Sequence, residues 1–247
     1  MLLLFGVILP YLAAAVFLVG IAWRTLSWLR RPVLYPLTLV ETADCPVCRA
    51  ASVAGELVLF RSLLRSDRRL WFWAWAMHAS LALILGGHVV GIAALTHQFT
   101  WLGTSPQTSE RTSLVSGVLL GLVLVASLLA LLDRRLTVPE VKRLSRPAEY
   151  FDLGLLLAVA LTGLAMRAGM THADLAAIRG YLGGLLSLRP SLPPVLPLFL
   201  VHFGLFNALL LYFPFSKLVH LTGALVSRAL LVQPAPTYPT PGGGDAP

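Results

Sequence analysis

Five long apolar segments constrain this chain more than any other feature of its sequence. A helix needs about 20 apolar residues to cross the roughly 30 Å hydrocarbon core of a bilayer. The segments cover about residues 2–23, 71–95, 113–132, 151–169 and 194–222. They are continuous runs of Leu, Ala, Val and Gly without the alternation of a membrane β-barrel, and lipid offers no partner to an open backbone group. The sequence therefore predicts an all-α membrane protein, a bundle of five transmembrane helices.

The composition supports this prediction. Of 247 residues, 57% are hydrophobic and 12% are charged, and the charged share is about half the roughly 25% of a soluble domain. This excludes an ordinary soluble enzyme. The first segment starts at Met1 with neither a basic region nor a small-residue cleavage site, so we expect a retained helix rather than a signal peptide. Pro10 is expected to kink that helix.

The basic residues predict the orientation of the bundle. Fifteen of the 19 Lys and Arg residues lie between segments one and two, between segments three and four, or at the end of segment five. The other four lie on the opposite side: Arg111, Arg167, Arg179 and Arg189. Positive charge stays in the cytoplasm, so the N-terminus is expected outside and the C-terminus in the cytoplasm of a multi-pass protein of the cell inner membrane. Because these charges are spread along loops, they form no basic face, and nucleic acid is excluded as a partner. The expected surroundings of the chain are membrane lipid.

The chain is predicted to form one membrane domain over residues 1–232, followed by a tail over 233–247. The tail is rich in Pro and Gly, and we expect it to be disordered or to bind a partner as a strap. The cytoplasmic loop over 24–70 is too small for a catalytic domain. Its stretch Glu56–Arg65 has the pattern of a short amphipathic helix at the membrane interface.

The same loop contains the only two cysteines of the chain, in the motif Cys45-Pro46-Val47-Cys48. One such motif supplies at most two of the four ligands of a metal site, and no thioredoxin-like domain surrounds it. A c-type haem would need His after the second cysteine, where Arg49 stands. A structural or partner-contacting thiol pair, a metal site shared with a partner and a redox pair stay open.

Four histidines lie inside apolar segments. His78 and His88 are ten residues apart on segment two, and His202 and His220 are eighteen apart on segment five. At 1.5 Å per residue these spacings are about 15 Å and 27 Å. Because the two segments run in opposite directions, His78 is expected to face His220 near the cytoplasm and His88 to face His202 near the outside. On segment five, eighteen residues make about five turns, so both histidines are expected to point the same way. On segment two, ten residues leave the histidines about 80° apart, a mismatch that tilt and coiling are expected to absorb.

Two facing imidazoles suit a haem iron held from both faces, and a haem can slot between the helices of a bundle. With both axial positions filled, such a haem carries electrons and binds no substrate. Gly86, Gly87 and Gly204 would let a flat macrocycle approach, although small residues also pack membrane helices together.

Other interpretations of the histidines stay open. They could serve helix packing in a non-redox scaffold or transporter subunit. A zinc site would have only two ligands at each depth, and a proton relay would lack intramembrane Asp or Glu. His97 and His172, near the outer ends of segments two and four, are expected to be interfacial, although an outer imidazole could accept protons released by quinol oxidation.

These residues resemble a known family. The stretches 78–88 and 213–220, with His202 upstream, are similar to the gamma subunit of respiratory nitrate reductase, a five-helix dihaem cytochrome b. The stretch 134–141 also matches the third cytoplasmic junction of that family. The resemblance covers about residues 8–225.

The resemblance implies haem ligation. His78 and His220 would hold the cytoplasmic-side haem, and His88 and His202 the outer-side haem, which is the pairing reached from topology. The four histidines would then be the axial ligands of two haem b irons.

Two departures separate the chain from the nitrate enzymes. The connection between segments one and two is longer and is more similar to the cytochrome subunit of sulfite-reduction-associated membrane complexes and its heterodisulfide-reductase-like relatives. In the nitrate enzymes, a lysine near the start of span three is associated with quinol binding. Here residues 107–111 lack that lysine, and Arg111 is the nearest basic residue. The resemblance thus implies a quinone site near Arg111 and Gly87.

The resemblance implies the electron-transfer subunit of a membrane-bound quinone/quinol oxidoreductase. Its two haems would connect a menaquinone or ubiquinone pool with a cytoplasmic iron–sulfur subunit of a respiratory complex. The chain has no substrate-reducing site of its own, so a catalytic subunit elsewhere in the complex would carry out that chemistry.

Overall fold

The computed structural model describes residues 1–30, 40–41, 45–93, 99–220, 222–225 and 232–233. In chain order its helices are α1 (Leu9–Leu29, preceded by a π-helical turn, Leu4–Ile8), α2 (Pro46–Leu59), α3 (Arg61–Ser66), α4 (Arg68–Ala93), α5 (Pro106–Thr137), α6 (Pro139–Leu144), α7 (Pro147–Gly169), α8 (His172–Leu186) and α9 (Pro197–Tyr212). Short 3₁₀ turns lie at Thr100–Leu102, Phe213–Phe215 and Lys217–Val219. Two-residue strands, β1 (Val40–Glu41) and β2 (Val232–Gln233), pair in parallel.

Five of these helices are long and apolar enough to cross a membrane: the first helix from the π-helical turn onward, α4, α5, α7 and α9. This confirms the predicted five-helix, all-α fold. In the bundle α4 packs on α5, α5 on α7, α7 on α9, and α9 on α1. Large apolar side chains such as Leu18, Val19 and Val89 remain more than 60% exposed. An exposed apolar surface of this kind is typical of a lipid-facing bundle.

The helix starts follow from local chemistry. Prolines occupy the first turn of α5, α7 and α9, where the missing amide hydrogen removes no helical bond. At the start of α5 the Ser105 hydroxyl accepts a hydrogen bond from the Thr108 amide at 3.2 Å, a regular N-cap. Pro10 lies in the first turn of α1, and the π-helical turn ends just before it. A π-helical turn, like a proline, is one of the local features at which a helix can bend.

The fifth segment differs from its prediction as one continuous helix over 194–222. The helix α9 ends at Tyr212, and two 3₁₀ turns separated by Ser216 follow. Pro214 has no amide hydrogen to donate, and Ser216 is extended with φ −97° and ψ 176°, so the α-helix cannot continue. The expectation that His202 and His220 lie on one face of a single helix is therefore wrong.

The predicted interfacial helix Glu56–Arg65 is divided into α2 and α3. Phe60 separates them in the left-handed region, at φ 50°, and the Glu56 carboxylate accepts hydrogen bonds from the Ser62 amide and hydroxyl across the break. The Trp71 and Trp75 indole N–H groups donate to carbonyls of the last turn of α2, at 2.7 Å and 3.0 Å. The C-terminal end of α2 is therefore fixed to the first turns of α4.

A buried cluster anchors α9 to α8, a helix outside the five predicted segments. The cluster consists of Ile178, Tyr181, Leu185, Phe199 and Phe203. The Tyr181 hydroxyl donates to the carbonyl of Gly6, and burial raises the pKa of Tyr181 to about 12. The cluster fixes the beginning of α9 and thereby the helix that carries His202.

The boundary between a membrane domain and a tail stays a prediction, because residues 234–247 lie outside the described part of the chain.

Asp67 joins the start of α4 to the end of α5. Its carboxylate accepts hydrogen bonds from the Leu70 amide at 2.9 Å and from Arg134 at 3.1 Å. These interactions, the Leu70 bond foremost, hold the pKa of Asp67 below its ordinary value of 3.8.

We expect Asp67→Ala to lower the Tm of the purified protein at pH 7 by about 2–4 °C, because it removes an N-cap and an ion pair. A carboxyl with a lowered pKa stabilises the fold above its ordinary pKa. The difference from wild type should therefore shrink as the pH falls below about 3.8.

The control variant is Asp133→Ala, which removes an exposed carboxylate next to Arg134. Equal Tm values for both variants, or a Tm difference independent of pH, would contradict this role of Asp67.

Candidate functional site

The structure brings His78 and His220 together. His78 lies in the third turn of α4, and His220 follows the last 3₁₀ turn after α9. Their Nε2 atoms are 3.4 Å apart, the ring centroids are 5.7 Å apart, and the ring planes are nearly perpendicular, at 86°. We call the end of the bundle where α4 begins and α9 ends the His78 end. The predicted pair thus meets there across the bundle.

The second ring nitrogen of each histidine is hydrogen bonded to a carbonyl. His78 Nδ1 lies 2.7 Å from the Ala74 carbonyl, and His220 Nδ1 lies 2.9 Å from the Lys217 carbonyl. A carbonyl can only accept, so both Nδ1 atoms carry the proton and both Nε2 atoms present lone pairs. Two lone pairs that face each other at 3.4 Å repel unless a proton or a metal ion lies between them. Two metal–imidazole bonds of about 2 Å each need about 4 Å between the nitrogens, so a small outward shift suffices.

His88 on α4 and His202 on α9 have the same kind of Nδ1 hydrogen bond. His88 Nδ1 lies 2.7 Å from the Ile84 carbonyl, and His202 Nδ1 lies 2.9 Å from the Thr162 hydroxyl oxygen. The Thr162 hydroxyl donates its own hydrogen to the Ala158 carbonyl at 2.8 Å, so its oxygen accepts from His202. Both Nε2 atoms again present a lone pair.

The surroundings of the glycines near the histidines differ. A Cβ atom added at Gly86 or Gly87 would meet no atom within 4 Å, whereas one added at Gly163 would lie 3.0 Å from His202 Cε1. Gly204 lies against the Phe5 ring, 3.0 Å from its added Cβ, so this glycine packs two helices together. Gly163, which sequence reasoning missed, is the glycine on which the position of His202 depends.

A charged cluster holds the segment that carries His220. The Glu149 carboxylate accepts from Lys217 and from Arg135, while the backbone carbonyl of Lys217 accepts from His220 Nδ1. Glu149 is only 8% exposed. A buried carboxylate between two cations is a strong positional restraint. Sequence reasoning missed Glu149, although a carboxylate two residues before an apolar segment was a usable signal.

The expectation that the membrane segments lack Asp and Glu, which disfavoured a proton relay, was wrong. Asp152 lies one turn after Glu149 on α7, within a spanning helix, and is 7% exposed. Its Oδ1 atom has no hydrogen-bond partner among the described residues. The span therefore does contain an intramembrane carboxylate, near the His78 end.

A cavity of about 670 Å³ adjoins His220 at the His78 end. Its wall contains the cations Arg24, Arg146 and Lys217 together with aromatic side chains, including Trp28. This part of the surface therefore has a positive charge beside one of the paired histidines.

The basic residues Arg111 and Arg167 lie on different helices. Arg111 is exposed in the second turn of α5. Arg167 on α7 is partly buried and donates to the Ser113 carbonyl and hydroxyl at 3.1 Å and 2.5 Å. The sequence had placed Arg167 inside the fourth apolar segment, a signal that was not used. His97 lies outside the described residues, and His172 is the first residue of α8.

Within the described ranges, no group of three or more His, Cys, Asp or Glu side chains is arranged to hold a metal ion. Among these residues, His78 and His220 form a facing pair. The fold and this pair define a five-helix membrane protein in which two histidines meet across one end of the bundle.

The chain belongs to the nitrate reductase gamma subunit family. The family model matches residues 60–234, which is more than two thirds of the chain. The match includes His78, His88, His202 and His220.

Two kinds of relative are similar to this chain. The Hdr-like menaquinol oxidoreductase cytochrome b-like subunit of Archaeoglobus fulgidus is 30% identical, over 91% of this chain and 78% of its own length. The corresponding subunit of Archaeoglobus profundus is 26% identical, over 89% and 76%. The nitrate reductase gamma chain of Bacillus subtilis is 31% identical over 36% of this chain and 40% of its own length. The family resemblance predicted from the sequence is confirmed.

Removal of the Glu149 charge should loosen the His78 end. We expect Glu149→Gln to reduce the free energy of unfolding by about 1–2 kcal/mol, because two cations lose their common carboxylate. The exposed Lys217 side chain keeps the effect below the roughly 3–5 kcal/mol of a fully buried pair. Thermal unfolding of the purified protein measures the change.

The matched control is Glu140→Gln, on the exposed surface of α6. If both variants unfold at the wild-type temperature, the Glu149 cluster does not restrain this end of the bundle.

Proposed function

We propose that this chain is a membrane cytochrome b subunit with two b haems. It carries electrons between the quinone/quinol pool and a cytoplasmic iron–sulfur subunit of an oxidoreductase complex. The supporting observation is the pair of Nε2 lone pairs that face each other across the bundle at 3.4 Å. The names of the Archaeoglobus relatives, which are cytochrome b-like subunits of menaquinol oxidoreductases, support the same function.

In this proposal His78 and His220 are the axial ligands of one haem iron, and His88 and His202 are the ligands of the other. Haem iron held in this way supplies one-electron transfer. Because each pair would fill both axial positions, neither site would leave a coordination position for oxygen or a substrate. Substrate chemistry then belongs to a separate catalytic subunit.

The residues behind the ligands hold them in position. The Nδ1 protons donate to three backbone carbonyls and to the Thr162 hydroxyl. Such hydrogen bonds fix the tautomer and the ring orientation and make the free nitrogen a better ligand. The protein's contribution is therefore a set of oriented lone pairs on which a haem iron would be held.

The two levels suit electron transfer through the membrane. His78 and His88 are separated by about 15 Å along α4, at 1.5 Å per residue, so the two pairs divide the path across the lipid into short steps. We place the His78 end at the cytoplasmic face of the inner membrane, as the basic residues predict. Arg24 and Arg146 would there contribute to a positive docking surface for an acidic iron–sulfur partner.

Quinone would bind nearer the His88 end. Arg111 and Gly87 are the candidate residues, because the resemblance implies a quinone site near the start of span three. The relatives named menaquinol oxidoreductase subunits favour menaquinol as the donor or product in this proposal.

Single histidine variants test the pairing. We expect His78→Ala and His220→Ala to lose the same one of two haem redox transitions, and His88→Ala and His202→Ala to lose the other, because each haem loses an axial ligand. Potentiometric titration of the purified variants, followed at the haem absorption band, measures this. His172→Ala, the control, should keep both transitions.

If His78→Ala and His88→Ala lost one transition in common, the pairing across the bundle would be incorrect. If no variant changed a haem signal, the histidines would serve packing in a non-redox membrane protein.

The Gly163 position provides an independent test of the His202 site. A valine side chain there must displace the His202 ring, since an added Cβ already lies 3.0 Å from Cε1. We expect Gly163→Val to reduce occupancy of the His202 haem to less than half, with the other haem retained. Spectra of the purified variant at fixed protein concentration measure the occupancy.

Gly154→Val is the control on the same helix, because an added Cβ there meets no atom within 4 Å. Equal haem occupancy in both variants would show that the His202 ring is not constrained by α7.

A further inference from the structure

The first turn of α2 contains a cysteine pair that electron transfer through the histidine sites does not use. Cys45 and Cys48 form a disulfide. Cys45 is the N-cap residue of α2, and its sulfur accepts a hydrogen bond from the Cys48 amide at 3.2 Å. Cys48 is exposed, and Cys45 is partly exposed. Both sulfur atoms are therefore near the protein surface.

This disulfide has little value as a structural link. It joins residues three positions apart within one helical turn, so it connects no two elements of the fold. The stabilisation expected from a disulfide rises with the length of the loop that it closes, and this loop is close to the shortest possible. Loop closure by this disulfide therefore contributes little to the stability of the fold.

The geometry favours reversible opening of the bond. Once reduced, Cys45 would place its sulfur at the N-terminus of a 14-residue helix, within reach of the Cys48 amide. A helix N-terminus and a backbone N–H both stabilise a thiolate, which is the reactive form of cysteine. Cys48 follows one turn later, where it can attack a bond formed at Cys45.

The location connects the pair to the histidine sites. α2 is about 21 Å long, at 1.5 Å per residue, and its last turn is held by Trp71 and Trp75 of α4. The next residue, Phe60, contacts the His78 ring edge to face, with centroids 5.1 Å apart. The helix that starts with the cysteines therefore ends against one of the paired histidines.

We propose that Cys45 and Cys48 form a redox-active dithiol/disulfide site that exchanges with a dithiol or disulfide carrier at the His78 end of the protein. In the oxidising direction the Cys45 thiolate attacks the carrier disulfide, forms a mixed disulfide and displaces one carrier thiolate. The Cys48 thiolate then attacks the Cys45 sulfur, which forms the Cys45–Cys48 disulfide and releases the second carrier thiolate. Two electrons pass to the carrier, and the two thiol protons end on its two sulfurs. The reverse reaction reduces the pair.

The test uses the full-length, haem-loaded protein in detergent, equilibrated without denaturant in mixtures of reduced and oxidised dithiothreitol and then of reduced and oxidised glutathione. A maleimide mass tag counts free thiols directly, because the chain has only two cysteines. We expect native protein to change reversibly between two tagged thiols and none as a single two-electron transition. With oxidised glutathione, Cys48→Ser should accumulate one stable mixed disulfide on Cys45, because the resolving thiol is absent.

The proposal is overturned if both thiols stay free across the whole range of mixtures. It is also overturned if the native disulfide resists reduced dithiothreitol, or if metal analysis finds zinc, or iron in excess of the haem content, that Cys45→Ser and Cys48→Ser both lose. Haem content is measured in the same samples, and Cys48→Ser should retain the wild-type amount. Failure of the exchange site is then distinguishable from failure of the haem proposal.

Discussion

The constraint on which this structure depends is the opposition of two imidazole lone pairs at one end of an apolar bundle. With both Nδ1 protons donated to carbonyls, the Nε2 atoms of His78 and His220 face each other at 3.4 Å, an arrangement that costs energy unless a positive centre lies between them. Many local features hold it in place. Asp67 fixes the start of α4, and Glu149 fixes Lys217, whose carbonyl orients His220.

The break after α9 has a functional consequence. A continuous helix would direct His202 and His220 in nearly the same direction, whereas His78 and His88 on α4 are ten residues apart and about 80° different in direction around that helix. The 3₁₀ turns at Pro214 and Ser216 let His220 turn toward His78 independently of His202. The direction of His220 is therefore set by the local backbone geometry after α9.

The features that follow from composition and periodicity could be predicted from the sequence. Lipid requires helices, so the five apolar segments located the spans, and antiparallel order predicted that His78 meets His220. The contacts that secure the histidines could not be predicted in this way, because Thr162, Gly163 and Glu149 meet α9 and the segment after it only through tertiary packing. Arg167 and Asp152 were detectable inside apolar segments, where ionisable groups are rarely without a role.

The central claim is that this chain binds two b haems through these four histidines. The most direct measurement is the pyridine haemochrome spectrum of the purified wild-type protein, with the protein concentration fixed by amino-acid analysis. The account predicts about two b haems per chain. A preparation of folded protein that contains none would contradict it, and the facing histidines would then need another positive centre between them.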